Sequence, residues 1–235
     1  MRRSRHGAHR LLPRSTGTMN IAIIGTGNVG KALAERWLAK GHHVMFGSRD
    51  PAAPKIAALL AALGPAASSA SLEDAPTEAD VVVLAVPWEA ALTTVGAMGD
   101  LSNKVLIDAT NPIAMTPEGL QEGLVVGHQS SAAEQIADVA MNARVVKAFN
   151  QAGAGIMANP AVKETDCTMF ICGDDEEAKR LTTELAADLS LRVLDAGPLR
   201  QARLLEPLGM LWIHMCYLRG QGPNFCFSVT DIAGH

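Results

Sequence analysis

The residues best placed to do chemistry here are glycines. Gly25-Thr26-Gly27-Asn28-Val29-Gly30 follows the apolar run Asn20–Ile24 and leads into a stretch where Val29, Leu33 and Trp37 recur every fourth residue. This glycine spacing is weak evidence alone, but between a strand and a helix it predicts a dinucleotide site. Gly25 then allows the tight turn, Gly27 lets the backbone approach a pyrophosphate, and Gly30 lets the helix pack closely on the sheet. The unpaired amides that open the helix face the phosphates.

The next strand ends at Phe46-Gly47-Ser48-Arg49-Asp50. An NAD site usually places an acid at this point, whereas an NADP site needs donors and cations for the 2′-phosphate. Ser48 can donate to that phosphate, and Arg49 can pair with it and lie across the adenine. Asp50, just before Pro51, turns the chain away, and Lys55 can add charge. The pattern predicts NADP(H); the alternative for Arg49 is a solvated surface cation. Ligands in open parallel sheets bind beyond the carboxyl ends of the strands. Val86-Pro87-Trp88, Asn111-Pro112 and Phe149-Asn150 are therefore the candidates to line the nicotinamide. Asn111, before a proline, can equally be a turn former.

Other chemistries lack their residues. No Ser/His/Asp arrangement falls on strand ends, no His/Cys cluster has metal spacing, and no Lys/His pair is poised for acid–base work. Neither a catalytic side chain nor a metal is expected. His42 and His43 fall at the far end of their strand, His128 reads as a loop residue and His214 as a core residue. A nicotinamide site without a proton-transfer group suits direct hydride exchange with a second, conjugated acceptor, for which the protein supplies alignment and exclusion of water.

The elements that must position these residues alternate along the chain. A strand at Asn20–Gly25 precedes a helix from about Val29 to Lys40, a strand at His43–Gly47 and a helix over Pro54–Leu63. Asp80–Val86, Lys104–Asp108 and Arg144–Phe149 read as buried parallel strands. The helix between the last two is opened by the capping box Ser131-x-x-Glu134. Cys167–Cys172, a helix over Asp175–Asp188 and Leu191–Asp195 form another strand–helix–strand unit. A final helix runs from about Leu199 to Leu218, interrupted by Pro207. This alternation predicts an α/β fold, a Rossmann-type doubly wound, mostly parallel sheet with a C-terminal helical segment, forming a single domain over 19–235.

Composition agrees. Of 235 residues, 48% are hydrophobic and 19% charged, too apolar for a disordered chain. With 20 Lys+Arg against 24 Asp+Glu, the net charge of −4 argues against nucleic-acid binding. No apolar run reaches the roughly 18 residues of a membrane span. The first 18 residues stand apart, with five arginines, two histidines and no acid. They read as a transit peptide, a disordered basic tail, or an over-long start before a true beginning at Met19; the last two are favoured. The four cysteines include no CxxC pair, and are expected to be buried apolar thiols in a reducing, cytoplasmic compartment. Cys167 and Cys172, five apart in one strand, should point to opposite faces.

Taken together, GTGNVGKALA…HHVMFGSRDP, AVPWEAAL, DATNPI, SSAAEQIA, VVKAFN, FICGDDEEAKR and LDAGPLRQARLLEPL resemble the NADPH-dependent coenzyme F420 reductases, and are similar to the cytosolic domain of STEAP-type ferric reductases. The resemblance covers about Met19 to Leu218. It implies hydride transfer between NADP(H) and coenzyme F420 or a related flavin, FAD or FMN. It also implies NADP(H) held by Thr26, Gly27, Asn28, Val29, Ser48 and Arg49, with Val86, Pro87 and the strand end at 149–152 near the nicotinamide. A homodimer is a further expectation, and the segment after Gly197 either closes the far side of the site or forms the dimer contact. One departure stands out. Archaeal members carry a histidine and a bulky aliphatic residue where this chain has Asn150 and Ala152, which leaves the acceptor open between a deazaflavin, a flavin and another compound. Two other readings compete. One is a non-catalytic NADPH-binding redox sensor. The other is a reductase of the β-hydroxyacid or pyrroline-carboxylate type, disfavoured because the length leaves little room for its helical substrate domain.

Overall fold

Short apolar runs and amphipathic stretches follow one another closely, and through the first half of the chain the segment after each strand returns the chain to the edge where that strand began. The structure, a computed structural model, describes residues 17–116, 119–120, 123–159, 161 and 167–232. The basic segment singled out above therefore lies outside the described residues as far as residue 16. The first half runs β1 (Asn20–Ile24), α1 (Asn28–Ala39), β2 (His43–Ser48), α2 (Pro54–Leu63), β3 (Ala67–Ser71), a single turn α3 (Asp74–Thr77), β4 (Val81–Leu84) and α4 (Trp88–Gly96). It continues through β5 (Val105–Asp108), a small antiparallel pair β6 (Met115–Thr116) and β7 (Gly119–Leu120), α5 (Ala132–Val139), β8 (Arg144–Lys147) and α6 (Ala154–Ala158). β9 (Thr168–Gly173), α7 (Glu176–Asp188), β10 (Arg192–Asp195) and α8 (Ala202–Ile213) complete the described elements, with a 3₁₀ turn at Leu199–Gln201 and a π-helical turn at His214–Leu218 flanking α8.

The strands form an eight-stranded sheet in the order β3-β2-β1-β4-β5-β8-β9-β10. Neighbours from β3 to β8 are parallel. β9 pairs antiparallel with β8, and β10 parallel with β9, so the last unit runs against the others. The sheet is thus the mostly parallel, doubly wound one expected. Alternate residues of each strand face opposite ways. Ile21, Ile23, Val81, Val83, Val105 and Ile107 pack with Leu33 and Trp37 of α1, Met157 of α6 and Leu185 of α7. Ala22, Ile24, Val82, Leu84 and Leu106 pack with Ala91 and Val95 of α4, Ile136 of α5 and Leu205 of α8. Cys167 and Cys172 fall in these opposite layers, as their spacing predicts.

Two expectations are corrected. Pro207 does not interrupt the last helix: α8 runs continuously past it. A proline inside a helix costs about 3 kcal/mol, but Leu205, Glu206, Gly209, Met210, Trp212 and Ile213 bury one face of α8 and hold it straight through. Nor are all four cysteines free thiols. Cys167 and Cys226 form a disulfide, with Cα atoms 5.6 Å apart. The chain after α8 doubles back along β9: Thr168 N–H donates to Phe227 O and Val229 N–H to Thr168 Oγ1, which brings Cys226 onto Cys167. Cys172 and Cys216 remain free and buried, and burial pushes the Cys172 thiol up to about 12. Among the described residues, no helix is long and apolar enough to cross a membrane.

Candidate active site

The parallel strands all end along one edge. β1 and β4 are neighbours there, yet their following helices α1 and α4 pack on opposite faces of the sheet, which opens a crevice. Gly25, at φ +130°, makes the turn out of β1, and a Cβ on it would stand 2.2 Å from Ala85 O. A Cβ on Gly30 would stand 2.1 Å from Gly25 O, so only glycine lets α1 start this close to the strand end. Gly27 differs: a Cβ there meets nothing within 4 Å. It is the N-cap of α1, and no side chain caps the helix. The first turn of α1, opening at Asn28 and Val29, is thus left without a capping side chain, an arrangement that suits a phosphate. Structure and chemistry at this turn fit a dinucleotide.

One strand over, Ser48 Oγ accepts from Asp50 N–H at 3.3 Å and donates to Asp50 O at 3.2 Å, while Asp50 Oδ1 accepts from Ala52 N–H. The hydroxyl thus bends the chain, and Asp50 is spent on the turn. Arg49 and Lys55 are exposed and have no ion-pair partner among the described residues. Arg49, uncommitted and next in the chain to the Ser48 hydroxyl, suits a phosphomonoester.

The other strand ends converge on the same edge. Val86 is half-buried and Pro87 exposed, where β4 meets the Gly25 turn. Asn111 and Asn150 clasp each other. Asn111 Nδ2 donates to Asn150 O at 2.9 Å, and Asn150 Nδ2 donates to Asn111 Oδ1 at 3.0 Å and to Leu205 O at 2.9 Å. Gln151 extends the chain of amides, donating to Asn150 Oδ1 and to Phe170 O. Asn150 is buried and its amide fully engaged, whereas Asn111 is half-buried. α8 lies directly against this clasp, because a Cβ on Gly209 would stand 2.5 Å from Asn111 Oδ1. The segment after Gly197 thus closes this side of the edge. Phe149, buried edge-on to Trp37, holds φ +60°, a left-handed conformation uncommon for a bulky residue and a mark of a constrained site.

Beneath the clasp lies a group that residue spacing did not reveal: Lys147, Asp108 and Glu206, all buried, with the ammonium between the two carboxylates. Burial opposes the charge on Lys147, but Asp108 and then Glu206 outweigh it and hold the ammonium above its ordinary value. An apolar strand ending in a lysine (RVVK) beside one ending in an aspartate (VLID) was the available signal. His42, at the opposite edge, is structural: Nδ1 accepts from Met19 N–H and Nε2 bonds Asp188 Oδ2. His128 lies in an exposed loop, and His214 is half-buried in the π-helical turn.

Comparison with known proteins places this geometry. A family model described as NADP oxidoreductase, coenzyme F420-dependent, matches residues 20–112, from β1 to the turn carrying Asn111. The F420-dependent NADP reductase of Methanocaldococcus jannaschii is 34% identical over 208 residues, covering 83% of this chain and 91% of that protein. A crystal structure from Arthrobacter sp. FB24, described as an F420-dependent NADP-reductase, matches at a TM-score of 0.81 and 30% identity, over 91% of this chain and 100% of that one. Metalloreductase STEAP3 of Rattus norvegicus is 33% identical over 194 residues, which span 81% of this chain but 37% of that longer protein. With its glycine turn intact and its similarity running nearly end to end, the chain belongs to the family of F420-dependent NADP reductases.

Proposed function

We propose that the protein is an oxidoreductase that moves hydride between NADP(H) and coenzyme F420 across the carboxyl edge of the sheet. The observation that carries this is the uncapped, unobstructed start of α1 at Gly27, with Arg49 uncommitted one strand away. When bound, NADPH supplies the hydride and the deazaflavin of F420 accepts it. The chain's own part is to bind and align. Gly25, Thr26, Gly27, Asn28, Val29 and Gly30 cradle the pyrophosphate; Ser48 and Arg49 grip the 2′-phosphate. Val86, Pro87, Asn111, Phe149 and Asn150 line the nicotinamide, with α8 excluding water from one side.

The amide of Asn150 is engaged within the protein and Ala152 is small, so the acceptor ring is met by shape more than by a donor at position 150. A flavin, FMN or FAD, is the alternative acceptor for this reason. The working unit is a homodimer. Leu204, Leu211 and Met215 are exposed on α8 and the turn after it, and their spacing of seven and four puts them on one helical face. The acidic net charge disfavours nucleic acid as a partner. The expected compartment is the cytoplasm, where reductants would contest the Cys167–Cys226 bond.

The test is NADPH consumption with F420, FMN and FAD supplied in turn. Acceleration by F420 supports the reading, and acceleration by a flavin alone moves the acceptor. NADPH binding without acceleration by any of them makes the protein a sensor.

A further inference from the structure

Two polar layers are stacked at the carboxyl edge, and only the upper one has a role so far. In the lower layer Lys147 Nζ donates to Asp108 Oδ2 at 2.8 Å and to Thr110 O at 2.7 Å, and stands 3.0 Å from Glu206 Oε1. All three ammonium donors are thereby used. Glu206 accepts the N–H groups of Ala132 and Ala133 at the start of α5, at 2.9 and 3.1 Å, and Asp108 Oδ1 accepts Thr110 N–H at 2.8 Å. No side chain of the three is more than 1% exposed.

The layers are joined by the chain in a regular way. Asp108 stands three residues before Asn111, Lys147 three before Asn150, and Glu206 three before Gly209. Asp108 and Lys147 thus anchor the segments that deliver the two asparagines of the clasp, and Glu206 anchors the turn of α8 that lies against it. Stability does not account for such a group, because buried ion networks can often be replaced by apolar side chains at no loss. What it does supply is a fixed relation between β5, β8, α5 and α8.

We propose that Lys147, with Asp108 and Glu206, is a positioning unit that seats α8 on the ends of β5 and β8 and so sets where the Asn111–Asn150 clasp stands against the nicotinamide. The proposal rests on the reading above that this clasp lines the nicotinamide. The adenine end, held from β2, lies outside its reach.

Removing Lys147 alone would leave two carboxylates unpaired and can unfold the chain, so the network is best neutralised as a unit with Lys147→Met, Asp108→Asn and Glu206→Gln together. Lys147→Arg keeps the charge while changing its shape. Both are compared with the parent by calorimetric NADPH affinity, single-turnover hydride transfer to F420, and fluorescence of bound NADPH, which reports the nicotinamide's surroundings. The expected result is affinity within about threefold, transfer slowed on the order of a hundredfold by misalignment, and altered fluorescence. Transfer and fluorescence both unchanged would overturn the proposal, whatever happens to the melting temperature. Should the triple variant not fold, Lys147→Arg is judged by the same two readouts. A parent protein that binds NADPH but transfers nothing to F420 overturns the functional reading instead. Fluorescence then judges the positioning unit alone, a change supporting it and no change overturning it.

Discussion

Gly27 and Gly30 sit three residues apart in one turn, yet a methyl group would act on them in opposite ways. At Gly30 it would stand 2.1 Å from Gly25 O; at Gly27 it would meet open space, with φ at −78°. Gly30→Ala is therefore expected to lower the melting temperature. Gly27→Ala should leave it near the parent's, since the restriction of the unfolded chain, roughly 0.4–1 kcal/mol, is offset by alanine's poorer fit at an N-cap. The same substitution should weaken NADPH binding tenfold or more, on the order of 1.4 kcal/mol, by blocking the pyrophosphate. Calorimetry finding full affinity in folded Gly27→Ala would remove the phosphate from this turn. Arg49→Ala should weaken NADPH by roughly 1.5–3 kcal/mol, the worth of a charge-assisted hydrogen bond, and leave NADH nearly untouched. Equal losses for both cofactors would refute the 2′-phosphate assignment.

α5 and α8 are tied together outside the core as well as within it. Ser131 caps α5 by accepting Glu134 N–H, and Glu134 in turn receives Nε and Nη2 of Arg203 from α8. Hydrogen bonding from Arg203 holds the Glu134 carboxyl below the usual glutamate value of 4.5, against the effect of partial burial. A carboxyl depressed in the folded state contributes stability above its unfolded value and loses it as pH falls through the folded one. Both groups are partly exposed, so solvent screens the pair and its contribution is small. Arg203→Ala should therefore unfold more readily near neutral pH, and its gap from the parent should close as pH drops below the glutamate range. Urea titrations showing a gap independent of pH would mean that the arginine acts through packing.

The segment after α8 is fastened across the molecule. Cys226 joins Cys167 over a sequence separation of 59. Around that bond Trp212 Nε1 donates to Phe225 O, and Arg192 reaches Val229 O and Asp231. In the chain-entropy account a closed loop of this size stabilises by about 4 kcal/mol. Cys226→Ser, or a reductant added to the parent, should lower the denaturation midpoint accordingly, with the α1 turn and its NADPH affinity preserved. An unchanged midpoint on reduction would show that the hydrogen bonds of the strap suffice without the disulfide.

What could be read along the chain was whatever depends on near neighbours. The strand–turn–helix context of Gly25 to Gly30, the hydroxyl and cation at Ser48 and Arg49, and the capping box at Ser131 are local, and spacing alone exposes them. Partners far apart in sequence were not legible. Lys147 meets Asp108 across 39 residues, and Cys167 meets Cys226 across 59. The reversed direction of β9 and the passage of α8 through Pro207 likewise follow from packing that no short window contains. Composition and periodicity expose the strands and helices that carry a clear apolar pattern, because those choices are made by hydrogen bonding and burial within a few residues; β3, a run of alanine and serine, and α4, directly after the β4 strand end, went unread. Which strand ends meet, and which charges are buried together there, depends on the order of strands in the sheet and on where α8 docks, and both are fixed when the chain closes on itself.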